Sequence, residues 1–243
     1  MNIGYNVSQA EEVMDKIKTA YESLGLYTEE QWDGLITTLQ TEWIGEDEQD
    51  YEKEFADRIC KLYDNAYNVA QGAISTIEGL VNAWYEFQAK NTLSGSAATA
   101  RGLHSVSAPT IKRETKIVSA KTKLFTKETN RGLASETSKT TIQGAVSTFV
   151  DQIKSETANL FNTIEVNSAF FGNQTTNIKT YIEEAGKAVG EVTIAVKDLN
   201  DALDKLVGTN YTGAIEDIST QFSTATTNVQ QSLSELGSSR WTV

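Results

Sequence analysis

The chain has one cysteine, one histidine and one proline in 243 residues. Cys60, being alone, forms no internal disulfide and no cysteine-based metal site. His104, also alone, excludes a Ser-His-Asp triad, paired-histidine catalysis and a histidine-rich metal site within one chain. With Pro109 the only proline, helices can run long without a kink. No stretch approaches the roughly 18 apolar residues that span a membrane, so membrane contact is not expected. The opening MNIGYNVSQAEE lacks a basic n-region and an apolar h-region, so no conventional signal peptide is expected. Bases are outnumbered by acids, 21 to 33, and the net charge of −12 argues against nucleic-acid binding. The acidic run Glu46–Glu54 lacks the alternating oxygen ligands and central glycine of an EF-hand and reads as a solvated helix N-terminus. No constellation for catalysis, a cofactor or a metal emerges, and the chain is expected not to be an enzyme.

What is present is helical periodicity, divided by charge into three parts. Residues 1–89 carry five Lys/Arg against eighteen Asp/Glu, residues 90–139 ten against three, and residues 140–243 six against twelve. An acidic block, a basic middle and a second acidic block predict two helical modules, 1–90 and 141–243, joined by a different segment, 91–140. Ser8 with Glu11 forms a capping box that starts the first helix. Val13, Ile17, Tyr21 and Leu24 share its apolar face, and one long helix is expected from about Ser8 to Gln40, with Gly25 the place where it could break and Thr28 with Gln31 able to form a second capping box.

The stretch Thr41–Phe55 is a corner. Gly45 can take the φ > 0 of a tight turn, and Trp43 can plug the end of the hydrophobic seam. Beyond it, Tyr51, Phe55, Ile59, Leu62, Ala66, Val69, Ala73, Ile77, Leu80, Trp84 and Phe87 advance at a mean of 3.6, the helix period. The basic middle is rich in Ser, Thr, Gly and Lys and reads as a solvated linker, its lysines free or folded back on acidic neighbours, with short β-prone patches at Lys116–Ser119 and Lys123–Thr126 that could pair as a small β-hairpin.

The period returns from Thr141 through Ile142, Val146, Phe149, Ile153, Leu160 and Ile164. Phe170 then stands two residues before Gly172, an offset of 127 from Trp43 and Gly45. At that offset Tyr51 meets Ile178, Phe55 meets Ile182, Leu62 meets Val189 and Val69 meets Val196, a partial internal repeat. Ile178, Ile182, Ala185, Val189, Val192, Val196, Leu199, Leu203 and Leu206 step by 3.5, the seam of a left-handed coiled coil. A turn at Gly208–Tyr211 precedes a final helical stripe from Ile215 to Leu236, and Trp241 lies near the end.

The first 90 residues resemble the WxG family of small type VII secretion proteins, through Trp43-Ile44-Gly45 between two long amphipathic arms. The second module resembles it less closely, Phe170-Phe171-Gly172 replacing the tryptophan. The resemblance implies helical hairpins that pair as four-helix dimers and are exported or escort exported partners, so a tandem chain would form the pair within itself. The family's export tag, a Tyr followed four residues later by Asp or Glu, is absent: the fourth residue after Tyr85 is Ala89, and Tyr211 is followed by Glu216 five residues on. The tag would then come from a partner, or the chain is a non-secreted relative.

The expected fold is all-α, an elongated coiled-coil-like bundle of two antiparallel hairpins with a polar basic linker. The expected function is that of a non-enzymatic type VII secretion substrate or helical partner, paired through Tyr51, Phe55, Leu62, Val69, Trp84, Ile178, Ile182, Val189, Val196 and Leu203. Its Trp43 corner would be presented at the bundle's end. It would be secreted without a conventional signal peptide, or cytoplasmic before export, as a self-paired monomer or homo-oligomer with protein partners only. The alternative is a scaffold that self-assembles through its heptad seams into a filament, sheath or particle.

Overall fold

The computed structural model describes residues 6–91, 103–113 and 132–206. Helix α1 (Val7–Glu42) is followed by a two-residue strand β1 (Trp43–Ile44) and the 46-residue helix α2 (Glu46–Asn91). After the basic middle come β2 (Gly132–Leu133), helix α3 (Ser138–Val166), a 3-10 turn (Ser168–Gln174) and helix α4 (Thr175–Lys205). The described part is an all-α bundle with one small two-stranded sheet.

Helix α1 starts earlier than the Ser8 box predicts. Asn6 is extended and its Oδ1 accepts from the Gln9 backbone N–H at 3.2 Å, satisfying one of the orphan donors of the first turn. The single long helix expected from about Ser8 to Gln40 is observed, continuous through Gly25. Thr28, expected to cap a second helix, is buried and donates its hydroxyl back to the Leu24 carbonyl at 2.7 Å. Gly25 has a packing role instead: a Cβ there would stand 1.9 Å from Tyr63 Oη and 3.0 Å from its Cζ.

The helices form a ring in which α1 packs chiefly on α3 and α2 chiefly on α4, with α1–α2 and α3–α4 contacts closing it. The two hairpins therefore interlock around one hydrophobic core. Their corners lie at opposite ends. At the first corner, β1 pairs antiparallel with β2, Trp43 opposite Leu133, and Lys139 at the start of α3 bridges to Asp204 at the end of α4. At the far end, the space above Gly172 is bounded by Leu80 of α2 at 3.6 Å.

The basic middle is partly laid down on the first hairpin. Over 103–113 it runs back along α2: Asn82 pairs with both backbone groups of Val106, at 2.8 and 2.9 Å, and Glu78 accepts from the Ala108 N–H. Arg113 then reaches Asp64, and Tyr21 of α1 donates to the Lys112 carbonyl at 2.8 Å. Val106 and Ile111 are buried. This stretch is thus folded onto acidic neighbours and is not a free linker. The β-prone patches Lys116–Ser119 and Lys123–Thr126 lie outside the described residues, as do the stripe Ile215–Leu236 and Trp241. The strand pairing that is described joins the linker's end to the first corner.

Candidate functional site

The first corner is built by Gly45, whose φ of 135° lies in the region that favours glycine, and by the indole two residues before it. Trp43 is 2% exposed, paired with Leu133 of β2 and set against the Tyr51 ring, so it is not presented at the bundle's end as the sequence predicts. The Ala134 N–H donates to the Glu42 carbonyl at 3.0 Å, and Ser138 donates its hydroxyl to the Glu42 carboxylate. The corner is therefore sealed by its own chain. Trp43 Nε1 is buried with no hydrogen-bond partner among the described residues.

From Trp43 an aromatic ladder crosses the bundle. Tyr51 lies 5.7 Å from the Trp43 ring, Phe55 stacks on Tyr51 at 5.7 Å and 15°, and Trp32 stacks on Phe55 at 6.0 Å. Phe149 of α3 meets Phe55 edge-on at 6.1 Å and also contacts Trp32 and Tyr27. These offset and edge geometries are the favoured ones for aromatic pairs. Tyr51 also donates its hydroxyl to the Ala195 carbonyl of α4 at 3.3 Å, so the ladder joins all four helices. Phe149 lies on the α3 stripe of the second module, but spacing alone carries no sign that it meets Phe55.

Charged contacts fix the register of α2 against α4. Arg58 donates to Asp198 at 2.9 Å, to the Glu191 carbonyl at 3.3 Å and to Glu54, and Lys61 bridges to Glu191 at 2.8 Å. Burial works against the Arg58 cation, but its hydrogen bonds to Asp198 and Glu54 outweigh this and raise its pKa. The acidic run of the corner is not wholly solvated either: Glu48 and Glu52 are 2% and 4% exposed, and Gln40 donates to Glu52 at 3.2 Å.

The second corner repeats the first with one change. Gly172 has φ of 54°, again in the glycine region, but the buried aromatic is Phe171 at 1% exposure, while Phe170 is only half-buried. The 3-10 turn accounts for this shift by winding the chain more tightly ahead of the glycine than the extended β1 does.

Leu62, Val69, Ile178 and Leu203 are buried in the shared core, together with Tyr51 and Phe55. Trp84 is half-buried and stacks at 6.0 Å on Phe87, which is 54% exposed. Ile182, Val189 and Val196 are half-buried at the edge of the core. The inward face of α4 is formed by Ile178, Ala185, Val192 and Leu199 with Ala188 and Ala195, a face rotated away from Ile182, Val189 and Val196.

A second cluster escaped the sequence reading. The Tyr21 ring lies 5.3 Å from Tyr63 and 5.9 Å from Tyr67, and the Arg113 guanidinium stands 5.9 Å from the Tyr67 ring centre. Burial, then the neighbouring Tyr63, pushes the Tyr21 phenol well above its ordinary value, and burial does the same to Tyr51. Burial also raises Tyr63 and Tyr27. The raised folded-state values mean that stability is intact below the unfolded phenol pKa and falls as pH rises above it. Alkaline unfolding is therefore expected to begin near pH ~10, with the buried phenols ionising only together with loss of helical circular dichroism. Ionisation of all nine tyrosines while the helix signal is intact would contradict the buried placement.

His104 lies 3.3 Å from the Glu11 carboxylate, and Cys60 is half-buried against the core. An open recess of about 560 Å³ between α1 and α3 is lined by Glu12, Asp15, Lys16, Ser23, Asn159 and Thr163, and the Ser23 and Thr163 hydroxyls donate to the Thr19 and Asn159 carbonyls. Among the described residues, no group of three or more His, Cys, Asp or Glu is placed to hold a metal, and no helix is long and apolar enough to cross a membrane. Compared with family models, with curated proteins and with solved structures, the chain finds no match in any of the three.

Proposed function

We propose that this chain is a non-enzymatic type VII secretion-associated protein, a substrate or the helical partner of one, that carries within itself a pair of helical hairpins. One observation carries the reading. Two hairpins, each turned at a positive-φ glycine next to a buried aromatic, interlock head to tail in one chain, with the corners at opposite ends. Trp43-Ile44-Gly45 supplies the resemblance at the first corner. With Trp43 sealed under β2, recognition falls to the outer helix faces and not to an exposed indole.

The export assay tests this. Cells and cell-free medium are immunoblotted in the native host and in a strain lacking the type VII export ATPase. The protein is expected in the medium only when that ATPase is present. Retention in cells in both strains, or release in both, would contradict export by this route. The second reading, a self-assembling scaffold, is favoured by the exposed face of the Trp84–Phe87 stack. It calls for assembly to grow with concentration, through copies that meet at this stack.

A further inference from the structure

Residues 103–113 form no helix or strand, yet their backbone is held in place by the first hairpin. Asn82 of α2 accepts from the Val106 N–H at 2.8 Å and donates to its carbonyl at 2.9 Å. Glu78, one turn earlier, accepts from the Ala108 N–H at 2.9 Å, and Tyr21 of α1 donates to the Lys112 carbonyl at 2.8 Å. Among the described residues, no backbone group of this strap bonds to another backbone group. The contacts share a pitch. One turn of α2, from Glu78 to Asn82, advances about 6 Å, close to the roughly 6.6 Å between alternate residues of an extended chain. Asn82 lies 18 residues past Asp64 on α2, about 27 Å along the helix. The seven steps from Val106 to Arg113, which meet those two residues, cover about 23 Å when stretched. With side chains one turn apart, α2 thus reads alternate residues of a stretched chain.

We propose that this face of the first hairpin is a binding groove for a stretched protein segment, occupied in cis by the strap and taken over, when the strap lets go, by a partner's segment of the same chemistry. The contacts define that chemistry. The four hydrogen bonds go to backbone atoms that any residue other than proline carries, so they set the path and not the sequence. Sequence enters at three positions. Val106 and Ile111, five apart, are each 5% exposed, and Arg113 bridges to Asp64 at 2.9 Å beside the Tyr67 ring. Ser105, Ser107, Thr110 and Lys112 are exposed, so those positions are free to vary. The charge is complementary: the strap contains no acid, and Glu11, Glu78 and Asp64 of the hairpin meet it. The fitting partner is an extended segment with two apolar side chains five apart, a cation two residues beyond and no acid between. Two buried side chains are a light anchorage beside the continuous stripes of the helices, so the strap is the part of the bundle that can leave without unfolding it. The groove serves such a partner whether or not the chain is exported.

The test uses a dye-labelled synthetic peptide with the sequence of residues 103–113, read by fluorescence polarisation against the full chain. Val106→Ser with Ile111→Ser loosens the strap, and this chain is expected to bind the peptide. The unsubstituted chain is expected to bind it about ten-fold more weakly or less, because tethering holds the strap at an effective concentration near ~1 mM. Asn82→Ala added to the loosened chain removes both bonds to position 106 and is expected to weaken the peptide by about ten-fold. A peptide carrying Val106→Asp and Ile111→Asp is the control and is expected not to bind. Circular dichroism establishes that each chain is folded. A folded loosened chain that ignores the peptide, or binds peptide and control alike, would overturn the proposal. So would equal binding by the loosened and unsubstituted chains. Hydrogen exchange on the unsubstituted chain gives a reading that needs no variant. The Val106 and Ala108 amides are expected to exchange several-fold faster than those of Ile74 and Val81, buried in α2. Exchange of all four at one rate would make the strap inseparable from the bundle and overturn its release.

Discussion

Replacing Phe55 by alanine is expected to destabilise the bundle by about 3–5 kcal/mol, read as a shift in the midpoint of chemical denaturation. Phe55 is 1% exposed and stands at the junction of the aromatic ladder, touching Tyr51, Trp32 and Phe149 from three helices. Its loss leaves a cavity that the neighbouring rings cannot close without abandoning their offset and edge contacts. Against a total stability of about 5–15 kcal/mol for a domain, this is a large share. Leu26→Ala, at a site 60% exposed, is the control and is expected to change stability by less than about 0.5 kcal/mol. A loss below about 1 kcal/mol for Phe55→Ala would fall short of any buried-ring deletion and would contradict the junction.

The second large effect separates two neighbouring seam positions. Val192→Asp puts a carboxylate at a site that is 0% exposed and is expected to cost more than about 4 kcal/mol, enough to unfold the chain. Val196→Asp, one turn on, is expected to cost only about 1–2 kcal/mol, because its half-buried side chain can turn its charge to water. A heptad reading that treats both as seam residues predicts equal losses. Equal losses by thermal denaturation would return Val196 to the core and contradict the rotated face of α4.

This contrast shows where sequence was a good guide. The 3.6 period of α2 placed Phe55, Leu62 and Val69 on a face that is buried, because a continuous apolar stripe on a long helix has to be covered. Gly45 was legible as a turn because backbone geometry there is local. The heptad of α4 located a seam but not which way it faces, since Ala188 and Ala195 on one flank could bury as well as Ile182, Val189 and Val196 on the other. The two alanines lie inward where α2 approaches closely, with Ala195 itself bonded by Tyr51.

Other features depend on partners far away in sequence. Gly25 read only as a place where one long helix could break, and its packing role, making room for the Tyr63 ring of the next helix, was not legible. Ser8 with Glu11 matched a capping box, yet the cap is Asn6, whose extended backbone lets its Oδ1 accept from the Gln9 N–H. The basic segment's composition read as a linker. Its placement over 103–113 rests on Asn82, Glu78 and Asp64, three polar residues on α2 whose task no periodicity reveals. The sealing of Trp43 by β2 was hidden for the same reason, since Gly132 and Leu133 carry no strand signal of their own.

The central claim is that the two hairpins satisfy each other within one chain. Sedimentation equilibrium of the full chain over a broad range of concentration tests it most directly. The account expects a single species at the monomer mass of 26.7 kDa throughout. A dimer that persists on dilution would mean that hairpins pair between chains, and a mass that climbs with concentration would replace the self-paired bundle with an assembling scaffold.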